Sequence, residues 1–349
     1  MSTNLMYFDR NENQYGPAPA CFEVLRNAEI QHMSFYSRDF VRGVKSTLSE
    51  RIAEVFDIPE NFVLLGYGGE DILKQTVHCY LAEGEKIMIP SHSWWYYKSI
   101  ADEVDGIKVE YPIVEGETSY EYDIEAMRAM YTEHKPRVVL ISSPNNPTGN
   151  SMSREDLEAL LDFMSDTVVV LDEAYWSFAN ATDESLGELH TRYPNLLVVR
   201  TFSKYYALAG IRIGFALMGR NLTQLAQYSA RYLGYHRLSE LVALAALDSP
   251  DYYRDIAQKM ENDKAMFRDR LGVLPGFKVF NSEANFVLVK IPEEIKATLK
   301  EALTAQGLIV KFMNEDLLHS HLRITLGTQE QNRLLADAIV SFMEQKAGA

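Results

Sequence analysis

Lys204 stands in the run Thr201-Phe202-Ser203-Lys204, at the end of a β-branched stretch from Leu196 to Arg200, with Arg212 eight residues later. Two further polar clusters lie upstream, Ser143-Pro144-Asn145-Asn146-Pro147-Thr148-Gly149 and Leu171-Asp172-Glu173-Ala174-Tyr175. A lysine amine can form a Schiff base with an aldehyde, and a carboxylate can keep a pyridine nitrogen protonated. An amide and a phenol can hold a ring hydroxyl, while two hydroxyls and a guanidinium remain for a phosphate. These are the groups that pyridoxal 5'-phosphate requires, so the residues imply an enzyme that uses that cofactor.

Each residue also has a plainer reading. Asp172 can keep the ring nitrogen charged, so that the ring accepts electrons when a substrate Cα–H is lost, or it can cap a helix from a strand end. Tyr175 and Asn146 can donate to the ring hydroxyl, or serve as core aromatic and turn-forming Asn-Pro step. Lys204 can hold the cofactor and then move the proton, whereas a lone lysine after a strand is usually solvated. Gly68-Gly69-Glu70 precedes an apolar-periodic stretch, and the free amides of Gly69 and Glu70 suit an anion. Arg212, Thr201 and Ser203 complete that phosphate site. Trp95 is the candidate for a ring stacked on the cofactor, with Trp94 or ordinary core packing as the competing readings. Arg323, in the apolar run His321-Leu322-Arg323-Ile324-Thr325-Leu326, either pairs with a structural carboxylate or clamps a substrate anion; the clamp is the favoured reading. Tyr15 and Asn11-Glu12-Asn13 are expected to close over the same cleft, with Lys311 as a second cation.

The elements must carry these groups to one place. From about 62 to 215, strand-like and helix-like segments alternate, which predicts a doubly wound α/β core. Val138–Ser142 and Val168–Leu171 are near-continuous apolar runs, as for parallel strands buried on both faces. Asn146, Asp172 and Lys204 each follow such a strand, where open α/β sheets collect ligands. A helical stretch from about 222 to 270, with a break at Pro250, leads to a smaller α+β unit. Residues 31–250 are expected to form the large domain, and 1–30 with 251–349 the small one.

Composition narrows the classes. With 349 residues, 34 Lys and Arg and 49 Asp and Glu, the net charge of −15 argues against a nucleic-acid surface. An anionic ligand therefore needs a local cationic pocket. Cys21 and Cys79 imply no disulfide framework and fit a reducing cytoplasm. The segment Met1–Asp9 has no signal-peptide pattern, and no apolar run reaches the ~20 residues of a membrane span. His319 and His321, the closest histidine pair, have a poor spacing for a metal, and no metal is expected.

The motifs resemble the fold-type I pyridoxal-phosphate enzymes, specifically class I/II aminotransferases and most closely the histidinol-phosphate aminotransferase group. The resemblance covers nearly the whole chain, from Asn11-Glu12-Asn13 with Tyr15-Gly16-Pro17 to Leu322–Thr328. It implies a homodimer with sites at the subunit interface, in which Tyr36 reaches the partner's cofactor phosphate. It also implies amino transfer between an amino acid or related amine, histidinol phosphate-like or aromatic, and a 2-oxo acid. Decarboxylase, lyase or cyclase-type chemistry on the same apparatus is the alternative, and a cofactor-sensing regulatory module a third reading. The chain departs from the group at Gln14, where proline is usual, and at His92 and Trp95, where tyrosines are usual. Lys311 stands where a second anion-binding arginine is usual.

Overall fold

The computed structural model describes residues 5–37, 46–178, 186–231, 233–315 and 317–348. The first strand, β1 (Met6–Phe8), belongs to a second sheet, and the large sheet begins with β2 (Val63–Gly66), β3 (Lys86–Pro90) and β4 (Ile107–Tyr111). A separate hairpin follows, β5 (Ile113–Glu115) with β6 (Tyr120–Tyr122). The large sheet continues with β7 (Val138–Ser142), β8 (Val168–Asp172), β9 (Leu196–Thr201) and β10 (Gly214–Met218). The second sheet takes β11 (Lys278–Val279), β12 (Phe286–Lys290), β13 (Leu308–Phe312) and β14 (His321–Thr325).

Strand order in the large sheet is β2-β10-β9-β8-β7-β3-β4. The neighbours from β9 to β4 are parallel, and β10 runs antiparallel to both β9 and β2. Alternation along the strands explains the apolar runs. Val139, Ile141, Val169, Leu171 and Val198 face one core layer, while Val138, Leu140, Val170, Leu197 and Val199 face the other. With both faces covered, no strand position can be polar until the strand ends. Each such side chain contributes roughly 1.5–3 kcal/mol of burial.

The register then brings the ends together. Ser142 pairs with Asp172, Asp172 with Val199, Thr201 with Gly214, and Gly214 with Gly66. Because β10 is reversed, its start lies beside the ends of β9 and β2. A Cβ on Gly214 would meet the backbone of Gly68 and Gly69 at 2.8 Å, so glycine is needed for that approach. The second sheet is ordered β1-β13-β14-β12-β11, with β1 parallel to β13. Its first strand leads directly into Asp9, Arg10 and Asn11.

Three details differ from the sequence expectations. The β5–β6 hairpin has little alternation to announce it. The helical stretch is three helices, Thr223–Tyr228, Arg237–Leu247 and Pro250–Leu271. Pro250 starts the last of them instead of interrupting one, since a missing N–H costs little in a first turn. Finally, the apolar residues just before β10 are not strand: Ala209–Ile211 form a 3-10 turn and Arg212 is left-handed at φ +55°, so β10 begins at Gly214. Among the described residues, no helix is long and apolar enough to cross a membrane.

Candidate active site

A cavity of about 470 Å³ opens at the carboxyl ends of β7, β8 and β9, bounded on its far side by β13 and β14. Asp172 is its deepest acid. The carboxylate accepts from the Tyr97 hydroxyl at 2.7 Å and from the Ala174 N–H at 3.0 Å. Burial pushes the Asp172 carboxyl up, while the Tyr97 hydrogen bond, the Ala174 N–H and the Lys204 charge pull it down. An enclosed carboxylate so placed fits a protonated ring nitrogen.

Lys204 leaves the loop after β9, and its Nζ donates to the Arg10 carbonyl at 3.1 Å. The Tyr175 ring lies 5.8 Å from that nitrogen. The Tyr175 oxygen accepts from Asn11 Nδ2 at 2.9 Å, which leaves its own O–H to donate elsewhere. Asn11 is itself fixed, at φ +54°, by Thr325 on β14 and by Asn285, which immediately precedes β12. Asn146 Oδ1 accepts from Arg323 Nη1 at 2.5 Å, so its amide N–H groups remain as donors.

The phosphate candidates form the opposite wall. Gly68 has φ +88°, and a Cβ there would meet Arg212 Nη2 at 2.7 Å, so only a glycine admits the guanidinium. Arg212 Nη2 donates to the Tyr67 carbonyl at 3.1 Å and lies 3.6 Å from the Glu70 carboxylate. Gly69 and Glu70 open the helix Gly69–Tyr80, whose free N–H groups favour an anion. Thr201 Oγ1 bonds Ser203 Oγ at 2.9 Å and accepts the Ser203 N–H at 3.1 Å.

On β14, Arg323 is only 9% exposed. Its Nη2 donates to the Asp9 carbonyl at 2.6 Å, and Nε has no hydrogen-bond partner. Among the described residues, no carboxylate lies within ion-pair distance of it. Burial pushes the guanidinium down, with Tyr175, Asp9 and Glu315 opposing. Lys311 faces Arg323 across the β13–β14 ladder, but exposed to solvent. A buried cation without an ion-pair partner among the described residues, beside a lysine, is suited to an anionic ligand. Ser93 Oγ, also in the cavity wall, is buried without a partner.

The family model described as aminotransferase class I and II matches residues 3–339. The chain is 33% identical over 344 residues to histidinol-phosphate aminotransferase 2 of Ralstonia nicotianae, spanning 97% of this chain and 89% of the relative. It is 30% identical over 339 residues to histidinol-phosphate aminotransferase of Brachyspira hyodysenteriae, spanning 96% and 92%. The chain belongs to the class I and II aminotransferases. It lies close to the histidinol-phosphate aminotransferase group, and its cofactor is pyridoxal 5'-phosphate. The crystal structure of histidinol-phosphate aminotransferase from Sinorhizobium meliloti, in complex with pyridoxal-5'-phosphate, shares the fold at TM-score 0.87. That pair is 23% identical, over 97% of this chain and 90% of the other. The family favours amino transfer over the decarboxylase, lyase and cyclase alternative.

For this aminotransferase, twelve of the fourteen residues assigned to cofactor or substrate line the one cavity: Gly69, Glu70, Trp95, Asn146, Asp172, Tyr175, Thr201, Ser203, Lys204, Arg212, Lys311 and Arg323. Trp95 reaches it with 67% of its surface exposed, and Trp94, which also lines it, packs on Tyr96 and Tyr97. Two residues do not line it. Tyr15 turns away, its phenol buried, its ring 5.8 Å from Lys259 Nζ and its carbonyl bonded by Tyr252. The turn Asn13–Gly16 directs it against the long helix Pro250–Leu271. Tyr36 is 71% exposed on the surface of this subunit. Tyr97, Ser93, Asp9 and Arg10 went unassigned in the sequence. None carries a local signal: Tyr97 is one aromatic in the run Trp94–Tyr97, and Arg10 takes part through its carbonyl.

Proposed function

We propose that this aminotransferase moves an amino group between a donor amine, histidinol phosphate-like or aromatic, and a 2-oxo acid, in ping-pong order and as a homodimer. The observation that carries the reading is a single cavity holding the Lys204 amine, the Asp172 carboxylate and the unpaired Arg323 guanidinium. The donor set fits the cofactor. Gly69 and Glu70 amides, Thr201, Ser203 and Arg212 would hold its phosphate, Asn146 and Tyr175 its ring oxygen, Asp172 its ring nitrogen and Trp95 its face. When bound, pyridoxal phosphate supplies the aldehyde that captures an amine and the ring that accepts electrons from Cα.

The chain's own groups then divide the tasks. Arg323 binds the carboxylate of the oxo acid as a planar fork and, through Asn146, couples that binding to the ring pocket. Lys204 would take the proton from the substrate Cα and deliver it to C4′, the cofactor's aldehyde carbon, which requires its amine to be free of the Arg10 carbonyl. Lys311 would meet a second anionic group of the donor, as in a phosphate ester. The walls formed by Tyr175 and Trp95 keep water from the Cα proton.

Dimerisation is supported by the apolar surface of residues 22–36, where Phe22, Leu25, Ile30, Met33, Phe35 and Tyr36 are all exposed. Tyr36 would reach the partner's phosphate from there. Two free thiols, Cys21 and Cys79, agree with a cytoplasmic setting. The test is half-transamination: pyridoxal phosphate-loaded protein is mixed with a panel of amines that includes histidinol phosphate and aromatic amino acids. Pyridoxamine phosphate should accumulate with at least one of them; its absence with every donor would refute the reading. Sedimentation should give a dimer, and Ile30→Asp with Met33→Asp a monomer.

A further inference from the structure

Both oxygens of the Asp172 carboxylate are engaged by groups of the cavity's own wall, Oδ2 by the Tyr97 hydroxyl and Oδ1 by the Ala174 N–H. Tyr97 lies on the helix Tyr96–Asp102, 1% exposed, and Ser142 hydrogen-bonds to the same phenol oxygen. Ser142 and Asp172 are ladder partners on adjacent parallel strands, so one hydroxyl spans the two strand ends. A ring that only filled space among Trp94, Ile100 and Tyr111 could as well be phenylalanine. The oxygen is the part that needs a reason.

We propose that Tyr97 is a positioning residue for the cofactor's ring nitrogen: its O–H keeps the Asp172 carboxylate ionised and fixes its remaining lone pairs toward the cavity. The inference rests on the role given to Asp172 above. A buried carboxylate with one backbone donor tends to take up a proton, and a protonated Asp172 could no longer hold a charge on the ring. Of the groups that pull Asp172 back toward ionisation, the Tyr97 hydrogen bond is the foremost, ahead of the Ala174 N–H and Lys204. The donor itself is secure. Burial first, and the adjacent Asp172 second, push the Tyr97 phenol well above its ordinary range, so it keeps its proton at any working pH.

The test uses full-length apoprotein titrated with pyridoxal phosphate and with its 1-deaza analogue, in which carbon replaces the ring nitrogen, followed by protein fluorescence. Wild type should prefer pyridoxal phosphate. Tyr97→Phe should weaken pyridoxal phosphate about tenfold, the usual effect of losing a hydrogen bond to a charged group, and leave the analogue's affinity unchanged. The 15N resonance of labelled cofactor bound to Tyr97→Phe should move toward unprotonated pyridine. Ser142→Ala should shift both readouts the same way by less, and it carries the test should Tyr97→Phe not fold. Unchanged affinity for both ligands overturns the proposal. Equal losses for both ligands also overturn it, by making Tyr97 a packing residue. A wild type that binds both ligands equally refutes the role of Asp172 itself, and this inference with it.

Discussion

The cavity has two halves built in different ways. The cofactor half stands on the ends of β7, β8 and β9, and its key groups are buried and bonded to their own scaffold: Asp172 by Tyr97 and Ala174, Ser203 by Thr201. The substrate half stands on β1, β13 and β14, and there Lys311 is exposed while Arg323 keeps an unpartnered Nε. One half is organised before any ligand arrives; the other keeps unbalanced charge for the ligand to complete. The first arrangement serves one constant cofactor, and the second can accept two successive substrates in the same place.

Substitutions can break this division. Lys204→Ala should have the largest effect, a loss of turnover on the order of 10⁴-fold together with the cofactor's visible imine band, read by absorbance and steady-state assay. Retained activity would remove Lys204 from the mechanism. Asp172→Asn should lower kcat by roughly 10²–10³-fold and weaken cofactor binding, since a neutral amide cannot hold the ring charge.

The scaffold of the substrate half should respond to pH. His321, two residues before Arg323 on β14, is pushed down to about 4 from 6.5, by burial first and then by the Lys290 charge. Its folded value lies below its unfolded one, so the unfolded chain binds the proton first. Stability from this site is therefore complete above pH 6.5 and falls between 6.5 and about 4, by at most about 3 kcal/mol. His92, also pushed down by burial, acts in the same direction. Denaturant titrations from pH 7 to 4 should show a shallower decline in His321→Gln; parallel curves would reject the assignment.

Arg323→Lys comes next. It should raise KM for the oxo acid about 10–100-fold with a smaller change in kcat, because a point charge replaces the fork and Asn146 loses its donor. An equal fall in kcat at unchanged KM would move Arg323 from binding to positioning. The smallest effect belongs to Lys311→Ala, a few-fold rise in KM confined to donors with a second anionic group and reduced by salt, as expected for an exposed charge.

The two halves were not equally legible. The cofactor half could be read because parallel strands buried on both faces must stay apolar until they end, so Asp172 and Lys204 stand out as polar groups just past an apolar run. Arg323 was legible for the same reason, as a guanidinium inside such a run. Tyr15 misled: its neighbours Asn11 and Asn13 do reach the site's scaffold, yet the turn at Asn13–Gly16 sends the next side chain the other way. Nothing within a few residues encodes that direction.

By itself, the order of apolar runs and their polar ends determined the α/β core, the cofactor chemistry and the lysine proposed to carry it. Those are consequences of burial and strand periodicity, which act over a handful of residues. Only the tertiary structure decided how Asn11 meets Thr325 across 314 positions, how Tyr97 reaches Asp172 across 75, and that no carboxylate among the described residues forms an ion pair with Arg323. Hydrogen bonds between such distant residues depend on the packing of whole sheets, and local sequence carries no record of it.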